Sequence, residues 1–177
     1  MGASSIPLRN RPTSLASVLA LAVGLLCSPV LCKAQAAVCP WMNQATASGL
    51  TGVALNAPVL TGASPSIACT YRAQEKGEVT TLEISVIQMS DPATQYATYR
   101  AKCRPPGVPL TAIGNEALLC RADRSPQSHA ERVVGRVRNR AFIITLSTNV
   151  RFKPPFGRDT MEDRTKAVAE QVAGFLF

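Results

Sequence analysis

The sequence predicts an α+β domain. We expect an antiparallel sheet of about five strands with flanking helices, in the order α-β-β-α-β-β-β-α and closed by two disulfides. Three stretches carry that expectation. Residues 131–147 alternate apolar and polar side chains on two arms, which is the period of a half-buried strand. Residues 80–89 are rich in β-branched side chains. Residues 160–177 repeat apolar side chains at helical spacing.

Residues 1–36 are set apart as a secretory signal peptide, leaving residues 37–177 as a single exported domain. Arg9 and Arg11 give a positive start, an apolar run from Leu15 to Cys27 follows, and Ala34-Gln35-Ala36 offers small residues for cleavage after Ala36. The apolar run falls short of the roughly 20 residues a spanning helix needs, so no stable membrane span is expected after cleavage. Leu26 and Leu31 precede Cys27 and Cys32 where a lipoprotein signal wants a small residue. Cleavage removes three of the 19 basic residues (Arg9, Arg11 and Lys33) and leaves the 11 acidic ones, so the net charge falls from +8 to +5. Of six cysteines, Cys39, Cys69, Cys103 and Cys120 remain. An even number in an exported chain reads as disulfides, and the expected location is secreted or periplasmic.

The first element is a short helix beginning at Cys39-Pro40, with Pro40 at the first helical position and Gly49 or Gly52 ending it. Residues 53–66 read as an irregular connection. Ser66 to Arg72 is a strand with Ile67, Cys69 and Tyr71 on one side; residues 75–78 form a turn. Thr80 to Met89 follows, with Leu82, Ile84 and Val86 inward and Thr81, Glu83 and Ser85 outward. Asp91 caps the next helix and Pro92 opens it. That helix runs to about Cys103, with Tyr96, Tyr99 or Arg100, and Cys103 on one side.

Residues 105–115 are read as a loop and Ala117 to Arg121 as a strand; residues 123–130 form a polar loop. In the hairpin, Val133, Gly135 and Val137 share a face, as do Phe142, Ile144 and Leu146. The two faces coincide only with an even loop, Arg138-Asn139 or Arg138 to Ala141. Residues 153–157 break the pattern. The last helix runs from about Thr160, capped by Asp159 with Glu162 in capping-box fashion. Met161, Thr165, Val168, Val172 and Phe175 or Leu176 form its buried stripe. Four cysteines allow three pairings. Cys103 and Cys120 are separated by one reversal in this layout, which favours Cys103–Cys120 with Cys39–Cys69.

No nucleophile elbow, zinc-binding helix signature, phosphate loop or dinucleotide fingerprint occurs. His129, the only histidine, reads as a solvated loop residue rather than a catalytic base or a zinc ligand. Of the carboxylate pairs, Glu78 with Glu83 and Glu162 with Asp163 are weighed, and neither is read as catalytic. Neither a metal nor a cofactor is expected. Arg121, Arg124, Arg132, Arg136, Arg138 and Arg140 crowd into twenty residues. Arg132 and Arg136 share the face opposite Val133 and Val137, beside Ile143, Thr145 and Ser147. That face reads as an anion site, or as a solvated strand face whose arginines discourage edge pairing. Arg132, Arg136, Arg138 and Arg140 are the candidate ligand-binding residues. Nucleic acid is not an expected partner, since export removes it and aromatic interleaving is absent. Trp41, the only tryptophan, reads as core.

Cys39 on a short helix, Cys69-Thr70-Tyr71 on a strand, Ile113-Gly114-Asn115-Glu116-Ala117, a Val-rich hairpin and a terminal helix together resemble a broad group of exported bacterial domains. That group includes actinobacterial cell-envelope lipoproteins and the extracellular sensor domain of a mycobacterial serine/threonine kinase. The resemblance covers most of residues 37–177 and implies an antiparallel sheet flanked by helices, two disulfides, and ligand binding or sensing at the cell envelope. It carries over no catalytic residues. This chain departs from the group in lacking a lipobox and a kinase or transmembrane segment.

The leading functional expectation is therefore a non-enzymatic exported binding domain. It would take a small or anionic envelope ligand on the concave side of the sheet or on the Arg132/Arg136 face. One rival is an interaction module that docks an envelope protein through an apolar patch around Phe152 and Phe156. The other is a small hydrolase with an unrecognised site.

Overall fold

The computed structural model describes residues 38–103, 107–122, 125, 128–149 and 157–177. The chain divides after Ala34 into two units, and every described residue belongs to the second. Residues 1–36, expected to be a signal segment, and Phe152 and Phe156 lie outside the described residues.

Among the described residues there are three helices and seven strands in one sheet. In chain order they are α1 (Gln44–Thr51), β1 (Val59–Ala63), β2 (Ser66–Glu75), β3 (Glu78–Gln88), α2 (Pro92–Arg100), β4 (Val108–Leu110), β5 (Glu116–Arg121), β6 (Ser128–Val137), β7 (Arg140–Asn149) and α3 (Arg158–Leu176). The spatial order is β1-β2-β3-β7-β6-β5-β4, antiparallel throughout. The α+β class, the antiparallel sheet and the two disulfides are as expected. The strand count is not: seven strands replace about five, and both additions are edges.

β1 lies in the stretch read as irregular. It pairs with β2 across a loop that brings Ala63 opposite Ser66. As an edge strand it is exposed except at Leu60, so it carries no alternation to read. β4 lies in the stretch read as a loop and pairs with β5. Its Pro109 is tolerated because an edge strand need not donate every backbone N–H. β6 begins at Ser128, inside the predicted polar loop.

The helices begin and end a little away from their expected positions. Asn43 rather than Pro40 starts α1, its side chain accepting the Thr46 N–H at 2.8 Å, and Gly52 ends it at φ 63°. Asp91 caps α2 through the Thr94 N–H at 3.3 Å with Pro92 behind it, and the helix stops at Arg100, short of Cys103. α3 starts two residues early at Arg158; its N-cap is Gly157, with no side-chain cap. Asp159 instead sits in the first turn, where the helix dipole favours a carboxylate. At the far end Leu176 is buried and Phe175 exposed.

Two layers cover the sheet unequally. α3, supported by α1, packs on the face formed by Tyr71, Leu82, Ile84, Val133, Phe142, Ile144 and Leu146. The Cys39–Cys69 disulfide ties the N-terminal turn carrying Trp41 to this face. On the opposite face α2 seats Tyr96 against Val134, Ala141 and the Cys103–Cys120 disulfide. Nine helical residues span about 14 Å, whereas the ten-residue strands beneath span about 33 Å. α2 therefore covers only the part of its face nearest the β6–β7 turn.

Candidate functional site

The uncovered part of the α2 face is a polar cleft of about 390 Å³. Strand order builds its floor. The β2–β3 and β3–β7 registers place Thr70, Glu83 and Thr145 side by side, and β6 sets Arg132 beside Thr145. The next row down is Arg72, Thr81 and Ser147. Neighbouring strands are about 4.8 Å apart, so one ligand can touch three or four strands at once. Ser125 and Ser128 close one side. Arg132 lies beside the lining and donates from Nε to Thr145 Oγ1 at 3.1 Å. The side chains of Arg72 and Glu83 make no hydrogen bond or ion pair among the described residues. The cleft therefore presents hydroxyls that donate or accept, a guanidinium that only donates, and a carboxylate that only accepts.

Arg136 has a different environment. Register sets it opposite Glu116, and its Nη2 and Nε bond Glu116 Oε1 at 2.7 and 3.1 Å. Arg100 approaches the other carboxylate oxygen at 3.6 Å. Both guanidinium carbons stand about 6 Å from the Tyr96 ring centre, Arg136 at 5.9 Å and Arg100 at 6.0 Å. The Tyr96 hydroxyl donates to Val134 O at 3.2 Å. Burial is the main reason its pKa is pushed up to about 12, with the Glu116 charge adding to it. Arg136 thus closes a structural network under α2.

Arg138 lies in the two-residue β6–β7 turn, and its N–H donates to Asn115 Oδ1 at 2.6 Å. Arg140 is on the α3 face, its Nε 3.4 Å from Gln88 Oε1. Of the four candidate arginines, only Arg132 and Arg136 share a sheet face, about 13 Å apart along β6. His129 is on the α3 face of β6, with Nδ1 3.2 Å from Arg158 Nη2. It is part of a strand, not the expected solvated loop. Arg158 also pairs with the buried Glu131. Among the described residues, no three of His, Cys, Asp and Glu gather as metal ligands would.

The sequence marks Arg72 only as the end of a strand, and Glu83 only as an outward-facing residue and half of a carboxylate pair with Glu78; neither reads as a binding residue. Their outward direction was readable from period two. Their approach to Thr145 and Arg132 depends on the pairing of β3 with β7, which sets Glu83 beside Thr145, 62 positions later.

Two disulfides are typical of extracellular or periplasmic proteins. No helix among the described residues is long and apolar enough to cross a membrane. No protein-family model and no curated protein matches the chain. Among solved structures, a dog lipocalin allergen is 9% identical, with 65% of this chain and 66% of that one covered, just under two thirds of its length. The TM-score is 0.22, too low for that likeness to carry an argument about fold or ligand.

Proposed function

We propose that this protein is a non-enzymatic exported binding domain whose cleft beside Arg132 takes a small, polar, anionic ligand of the cell envelope. The observation that carries the reading is the open guanidinium of Arg72 on a floor of hydroxyls, in a cleft that α2 is too short to cover. Its volume falls within the roughly 300–1,000 Å³ of small-molecule sites. An anion at Arg72 would gain charge-assisted hydrogen bonds, while neighbouring Thr and Ser hydroxyls satisfy the ligand's own hydroxyls. The resemblance to envelope sensor domains points the same way. The non-enzymatic part is supported by the lining: Glu83 is the only carboxylate among its described residues, and His129 is on the opposite face.

The test is calorimetric titration of the oxidised protein with glucose 6-phosphate and with glucose, at ~20 and ~300 mM salt. The expected result is salt-sensitive binding of the phosphorylated sugar, weakened about tenfold by Arg72→Ser. Equal affinity for both sugars, no binding of either, or an unaffected Arg72→Ser variant would overturn this reading.

A further inference from the structure

A second concavity lies on the other side of the sheet, at the C-terminal end of α3, and its chemistry is the reverse of the polar cleft. It holds about 350 Å³. Its walls are apolar: Trp41 from the N-terminal turn, Pro65 from the β1–β2 loop, Ile67 and Val86 from β2 and β3, and Phe175 from α3. Phe175 is 58% exposed at the mouth, while Trp41 is 8% exposed and Val86 7%. An exposed aromatic ring above a sealed apolar floor gives an apolar chain surface on more than one side.

Arg140 stands at the rim and is the only charged side chain among the described residues that line the groove. Its contact there is a long one, Nε to Gln88 Oε1 at 3.4 Å, between exposed groups. That neutral amide does not compensate a guanidinium, and a carboxylate in its place would form a shorter, charge-assisted bond. We infer that this groove binds a medium-chain aliphatic carboxylate, with the chain between Trp41, Val86 and Phe175 and the carboxylate on Arg140. An apolar body ending in one negative charge is the occupant that matches a wall whose described residues hold a single cation and no anion. The site is separate from the polar cleft, and its occupancy does not depend on the function proposed there.

Trp41 makes the test direct, because it is the only tryptophan in the chain. The oxidised protein is titrated with monomeric decanoate, below its micelle concentration, while tryptophan emission is followed. A saturable emission change is expected. Decanol, of equal length but uncharged, should bind about tenfold more weakly. Arg140→Gln should weaken decanoate about tenfold and leave decanol unchanged, and Phe175→Ala should weaken both. Arg72→Ser, on the opposite face, should leave the titration as it was. An emission that decanoate does not move, equal affinity for decanol and decanoate, or an unaltered Arg140→Gln variant would overturn the inference. A response to anionic phospholipid vesicles without one to monomeric decanoate would also overturn it, and would assign the groove to a membrane surface.

Discussion

Gly135 and Phe142 face each other across β6 and β7, and the phenyl ring occupies the space above the glycine. A β-carbon built on Gly135 would lie 2.0 Å from Phe142 Cζ. Phe142 is fully buried beneath α3, so its ring has nowhere to retreat. The glycine that interrupts a Val-rich strand is thus the socket for the largest side chain of the opposing strand. Gly135→Ala should destabilise the domain by about 1–3 kcal/mol, through overpacking of a close-fitted core. Phe142→Leu in the same chain should restore part of that loss, since the two changes share one space. Urea unfolding of the single and double variants measures it, and additive losses would contradict the relationship.

The same pair shows what the sequence reveals and what it does not. Alternation placed Val133, Gly135, Val137, Phe142, Ile144 and Leu146 on one face, and β6 and β7 pair across the Arg138-Asn139 turn, one of the two loops expected. Long strands under α3 advertise themselves because one face must be apolar. β1 and β4 do not, because an edge strand is solvated on its open side and its sequence carries turn residues such as Gly62 and Pro109. Val134 defeated the simple alternation for another reason. α2 returns over the second face and buries it. The arginines were visible as a cluster, but a count of charges does not say which are already paired. Glu116 is close to Arg136 only through the register of β5 with β6.

The two disulfides should contribute unequally. Cys39–Cys69 closes a separation of 30 residues and Cys103–Cys120 one of 17. Restricting the unfolded chain by loops of these sizes is worth about 3.6 and about 3.1 kcal/mol. Replacing Cys39 and Cys69 by Ser should therefore lower the urea midpoint more than replacing Cys103 and Cys120. The first pair anchors the Trp41 turn, so its loss should also shift tryptophan emission to the red. The second should leave emission unchanged.

Alkaline pH should unfold the domain through two tyrosines. Burial pushes Tyr71 and Tyr96 each up to about 12 from an ordinary value of 10. Both are almost wholly enclosed, with Tyr71 donating to the Met42 carbonyl. In the unfolded chain each loses its proton near pH 10, while the native state still holds it. The stability from the raised values is thus complete below pH 10 and lost as pH rises from 10 through about 12. The loss should be on the order of 3 kcal/mol for each group. Tyr96→Phe should be less stable than the parent at pH 8, where its hydroxyl bond to Val134 O is missing, yet decline less steeply above pH 10. Urea midpoints across pH 8 to 12 measure both effects; an unchanged alkaline slope in Tyr96→Phe would count against it.

Arg132 and Arg136 should separate by what their removal disturbs. Arg136 meets Glu116 at 2.7 Å and stands over Tyr96, in a network that holds α2 to the sheet. Arg132 leans on Thr145 at the edge of the open cleft. Arg136→Ser should cost about 1 kcal/mol, since Glu116 is partly exposed and water can replace the lost guanidinium. Its effect on glucose 6-phosphate binding should be nil. Arg132→Ser should weaken that binding severalfold, because it removes a positive charge beside Thr145. The pair is measured by urea unfolding and calorimetry on the same samples. Weaker binding in Arg136→Ser without loss of stability would move the anion site to the α2 end of the face. That outcome would require Glu116 to release Arg136 when the ligand arrives. Glu116→Gln would then strengthen binding, whereas a site at Arg72 and Arg132 predicts no change.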